Sequence, residues 1–142
     1  ERFEVNQEKW EALDPLPLAC FSASIIVLEE SHCLYALGGV TDYQATDTIQ
    51  RLRFDDLKWD LLELKLPCQS EKIASFKLDE SQVFFIVSER LYSFTPQADS
   101  IKYLKSLSRS VKCKNGFNYY SKGVLYGSNV YGPPYELDLS IN

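Results

Sequence analysis

Apolar residues come in short bursts along this chain, separated by polar residues, glycine and proline. No stretch sustains a 3.6-residue apolar period beyond about two turns, so helices are not expected. Strands are. Residues 21–28 make a dense apolar run suited to a strand buried on both faces. Glu29-Glu30-Ser31-His32 is a polar hairpin turn, and residues 33–37 are the next strand, stopped by Gly38-Gly39. Residues 40–47 form a polar loop. Residues 48–54 alternate Ile49, Leu52 and Phe54 with polar neighbours, the pattern of a more exposed strand. Asp55-Asp56 turns the chain, and residues 58–64 are a fourth strand ended by Pro67.

A second set of four strands is expected at 73–78, 82–87, 90–95 and 100–105. A third set follows at 117–120, 124–127 and 135–139. The phrases around Trp10 and Trp59 repeat each other. Arg2-Phe3-Glu4 leads to Trp10 and then Leu16-Pro17, as Arg53-Phe54-Asp55 leads to Trp59 and then Leu66-Pro67. Phe3, Phe54, Phe94 and Leu137 fall at equivalent third-strand positions. Four short strands per repeat of roughly 50 residues mark a propeller blade. The fold class is therefore all-β, an incomplete β-propeller of four-stranded antiparallel blades, about three in number. Residues 1–17 close one blade, 18–67 form a blade, 68–108 a divergent blade, and 109–142 an incomplete last blade. Trp10 and Trp59 are expected to pack between blades.

Composition removes several functions. Apolar residues make up 45% and charged residues 25%, ordinary for a globular domain. The net charge of −5 provides no basic footprint for nucleic acid. No apolar run approaches the ~18 residues of a membrane span. Residue 1 is glutamate and methionine is absent, so a piece of a longer protein is expected. Cys20, Cys33, Cys68 and Cys113 form no Cys-x-x-Cys pair, which argues against zinc and for buried, reduced thiols. With no Asn-x-Ser/Thr sequon either, a cytoplasmic location is expected.

The second repeat resembles the kelch repeat. Leu34-Tyr35-Ala36-Leu37-Gly38-Gly39 is followed by Phe54-Asp55, Trp59 and Leu66-Pro67. The likeness covers residues 1–67 well and 68–142 loosely, because Val87-Ser88 replaces the diglycine and Ile101 the tryptophan. The resemblance implies the C-terminal part of a ring of about six blades. Upstream sequence or another copy of the chain would supply the rest. It also implies a non-catalytic protein–protein interaction module, either a scaffold or a ubiquitin-ligase substrate receptor, with no cofactor.

Kelch-like blades also build copper radical oxidases, so an oxidase- or hydrolase-type enzyme with its site in other blades is the alternative. Such sites need several histidines, whereas this chain has one, His32, in a turn. Asp42, Asp47 and Asp55-Asp56 are turn formers with no calcium-loop spacing, so no metal is expected. By the same resemblance, the loops at 40–48, 88–89 and 128–134, with the links 67–72 and 106–114, gather on one face. Tyr43, Gln44, Arg90, Asn129 and Tyr131 are the candidate partner-binding residues there. The segment 109–114 adds a locally basic stretch.

Overall fold

A computed structural model describes residues 1–107, 118–121, 124–129 and 132–138, the last three segments as backbone alone. The chain opens with a hairpin of β1 (Arg2–Glu4) and β2 (Lys9–Glu11). A four-stranded sheet follows, built from β3 (Ser24–Leu28), β4 (Cys33–Leu37), β7 (Thr48–Arg53) and β8 (Trp59–Lys65). Between β4 and β7 lies a small hairpin of β5 (Val40–Thr41) and β6 (Gln44–Ala45). The second four-stranded sheet holds β9 (Ala74–Lys77), β10 (Val83–Val87), β11 (Arg90–Thr95) and β12 (Ser100–Ser106). A third sheet joins β13 (Asn118–Ser121), β14 (Val124–Asn129) and β15 (Gly132–Asp138). Within each of these three sheets, neighbouring strands pair antiparallel.

The sheets meet through their first strands. β3 packs on β9, and β9 on β13. The Ser24 and Ser75 hydroxyls hydrogen-bond at 2.8 Å across the first of these contacts. Meander sheets that share an inner edge of first strands are the blades of a propeller.

The main core fills the space between the first two blades. Leu28, Tyr35, Leu37 and Ile49 face Val83, Phe85, Tyr92 and Phe94. Phe85 stacks on Tyr92 with centroids 5.3 Å apart, and Tyr35 meets Phe94 edge-on at 5.4 Å. A second cluster, with Ala74, Phe76, Phe84, Ile86 and Leu91, covers the opposite face of the second blade. With apolar clusters on both faces, β10 reads Val-Phe-Phe-Ile-Val without alternation and is buried throughout.

Three expectations need correction. The strand over 48–54 is not exposed, because Thr48, Ile49, Gln50 and Leu52 are all buried. The incoming link lies over it: the Gln50 side-chain amide donates to Leu18 O, and its carbonyl accepts from Leu18 N–H, each at 2.9 Å. The polar stretch 40–47 is not a plain loop but carries the β5–β6 hairpin. Trp10 is 64% exposed and meets Phe3 at a tilt, with centroids 5.2 Å apart, on a hairpin of two strands.

Trp59 is half-buried, at the cross-strand position of Leu52. Trp59→Ala is therefore expected to cost about 1–2 kcal/mol, below the 3–5 of a fully buried aromatic, and Trp10→Ala under about 1 kcal/mol. Urea denaturation of both variants checks the order. A larger loss at Trp10 would contradict the exposure described.

Candidate functional site

The face carrying the candidate residues is built around the diglycine. Gly38 has φ +61° and Gly39 φ +101°, conformations that side chains oppose. A Cβ on Gly38 would sit 2.6 Å from Ile73 Cδ1 and 2.7 Å from Ser70 O. One on Gly39 would sit 2.7 Å from Phe21 O and 3.0 Å from Ala23 N. The two glycines thus thread the chain between the link entering the blade and the link leaving it. Gly38 N–H donates to Thr48 O at 2.9 Å, and Gly39 N–H to Ser70 O at 3.0 Å.

The small hairpin that follows is firmly tied. Phe21 and Val40 exchange two backbone hydrogen bonds of 3.0 and 2.8 Å. Thr46 N–H donates to Gly39 O, and Ser70 N–H to Thr46 O. At the tip, Asp42 and Tyr43 have φ of 47° and 62°. Two positive φ values in a two-residue hairpin loop define a type I′ turn, whose favoured residues are Asn-Gly or Asp-Gly. Asp42 suits its place. Tyr43 stands where glycine is preferred, at a cost on the order of 1–2 kcal/mol. Its ring is 97% exposed, so it gives nothing to the core in return.

Beneath the tip lies a shallow cleft of about 390 Å³, lined by Cys20, Phe21, Val40, Thr41 and Asp42 with Ala19 and Tyr43. Phe21 is 59% exposed. Cys20 is half-buried; burial raises its thiol pKa, partly offset by the Gln50 amide that donates to its sulfur at 3.5 Å. It therefore stays a neutral thiol.

Tyr43 and Gln44 share this hairpin, and both are exposed. Arg90 is exposed too, at the corresponding end of the second blade, directly after a Ser88-Glu89 turn that also has two positive φ values. The link between blades reaches that turn, with Cys68 Sγ 3.5 Å from Ser88 Oγ. The backbone of Asn129 pairs with Gly132 at the end of β14, the matching position in the third sheet. Tyr131, Cys113 and the basic stretch 109–114 lie outside the described residues. Phe21 was missed from sequence because it reads as the first residue of a buried strand. The structure gives it only one isolated bridge, to Val40.

Elsewhere, a cleft of about 630 Å³ runs beside β8, with Arg51 and Asp60 on its wall. Those charges satisfy each other at 2.9 Å, and Arg53 joins them through Asp60 at 3.2 Å. His32 sits in the exposed turn between β3 and β4, its Nδ1 2.9 Å from Asp55 Oδ1. Among the described residues, no group of three His, Cys, Asp or Glu is placed to hold a metal ion. No helix of the described residues is long and apolar enough to cross a membrane. Cys20, Cys33 and Cys68 are free thiols.

Sheets converging on shared first strands, with turns of one kind gathered at one end, define a partial β-propeller. Its blades are of the kelch type. A kelch repeat-containing protein of Dictyostelium discoideum is 30% identical over 64 residues, which make up 44% of this chain and 10% of that protein. The solved structure titled "Structure of YjhT" superposes with a TM-score of 0.76 at 14% identity, over 94% of this chain and 54% of that one. No family model matches. The chain thus spans about a tenth of the curated relative and about half of the structural one.

Proposed function

We propose that this chain is a non-catalytic, protein-binding part of a kelch-type propeller, acting in the cytoplasm as a scaffold or as a ubiquitin-ligase substrate receptor. The observation that carries this is Tyr43. An aromatic ring 97% exposed, held at φ 62° on a hairpin stitched to two neighbouring links, is unfavourable for the free fold and well placed for a partner. Tyrosine buries a large area with few rotatable bonds, which suits it to the centre of an interface. Gln44 and Arg90 extend the same face. The single histidine, by contrast, sits in an exposed turn away from both clefts.

Affinity capture with the full-length protein, followed by substitution, tests this. Tyr43→Ala is expected to weaken partner binding at least tenfold, in line with an interface anchor. Circular dichroism should stay unchanged. Undiminished binding by both Tyr43→Ala and Arg90→Ala would place the interface elsewhere. Co-capture of a ubiquitin-ligase subunit favours the receptor role, and co-capture of cytoskeletal proteins favours the scaffold.

A further inference from the structure

We infer that the hairpin tip and the cleft beneath it take a positively charged side chain, arginine or lysine, carried on an exposed segment of the partner protein; this rests on the binding role proposed above. Three observations converge. Tyr43 and Phe21 are both exposed aromatics, 97% and 59%, and both line this cleft. Their backbones are joined through the Phe21–Val40 pair and the hairpin, so the two rings are presented on one tied frame. The exposed carboxylate of Asp42 lies on the same wall.

Aromatic faces carry negative quadrupole density, and a cation beside two such rings and a carboxylate gains from all three. No lysine or arginine lines the cleft to compete for that place. The whole chain carries a net charge of −5, which draws cationic segments toward it at low salt. Arginine suits the site further, since its planar guanidinium can lie on a ring while its N–H groups reach Asp42.

The turn itself provides clean probes. Tyr43→Gly places the favoured residue at φ 62° and removes only the ring, so the hairpin is kept. Asp42→Asn removes the charge and keeps a residue that tolerates positive φ. The test uses the full-length protein and heptapeptides randomised except at the centre, which is arginine, lysine, citrulline, leucine or glutamate. Binding is read by fluorescence anisotropy at low and high salt. Arginine- and lysine-centred pools should bind at least fivefold more tightly than citrulline-, leucine- or glutamate-centred ones. Asp42→Asn should reduce that preference at least threefold, and Tyr43→Gly should abolish it. A leucine or glutamate preference, or a basic preference that survives both substitutions, overturns the inference. If captured partner is lost with Tyr43→Gly yet binds Asp42→Asn fully and shows no salt dependence, the charge assignment falls and the binding role stands. If capture is indifferent to Tyr43→Gly, the charge assignment falls, and if it is indifferent to Arg90→Ala as well, so does the proposed binding face.

Discussion

Phe85→Ala is expected to remove about 3–5 kcal/mol of stability, the range for emptying a buried aromatic site. Phe85 is 0% exposed and sits on β10, paired on one side with Ser75 and on the other with Tyr92. Its ring lies against Tyr92 at 5.3 Å, within 12° of parallel. The cavity left behind cannot close easily. The two blades are pinned at one end by Gly39 N–H to Ser70 O and at the inner edge by Ser24 and Ser75. The loss would consume a large part of a typical domain's margin. In urea the midpoint should fall while the slope stays constant. A loss under about 1.5 kcal/mol would show that the blades move together and refill the space.

Gly39→Ala comes next, at roughly 2–5 kcal/mol, from strain and overpacking together. The backbone at φ +101° opposes any L side chain. The added methyl would also meet Phe21 O at 2.7 Å, Ala23 N at 3.0 Å and Ala23 Cα at 3.2 Å. All three are backbone atoms, so relief requires moving the incoming link and breaking the Phe21–Val40 pair. Partner binding should therefore fall along with stability, because Phe21 and Val40 also line the cleft. Phe85→Ala, which does not line the cleft, should lower stability while folded molecules bind normally. Chemical denaturation and binding on the same two variants separate these outcomes. A Gly39→Ala protein as stable as the parent would contradict the close approach described.

Much of this architecture was legible beforehand, for physical reasons. Strand bursts such as residues 82–87 and turn clusters such as Glu29-Glu30-Ser31-His32 depend on near neighbours. The diglycine was legible because few residues other than glycine occupy such backbone conformations. Long-range partners were not. Gln50 reads as a polar position on an exposed strand until Leu18 and Cys20, far earlier in the chain, supply its side-chain partners. Trp10 reads as packing by its repeat position, yet burial depends on how many strands stand beside it. Tyr43 and Gln44 were found by loop position, but the I′ hairpin was hidden because Asp-Tyr lacks the usual glycine. Asp42 at its first turn position was the available signal.

The two blades are fastened unequally at their two ends. At the diglycine end, the connecting chain and the backbone bonds of Gly39, Thr46 and Ser70 hold them. At the opposite end, the contacts that bridge the turns are exposed: the Glu30 amide to the Glu80 carboxylate at 3.1 Å, and Gln97 to Ser31 at 3.3 Å. Lys77 pairs with the same Glu80. Acid or high salt weakens the two contacts to the Glu80 carboxylate far more than the backbone bonds at the diglycine end. Under load the pair should open like a book, its spine at the diglycine end, so that the proposed binding face would ride through the motion undisturbed.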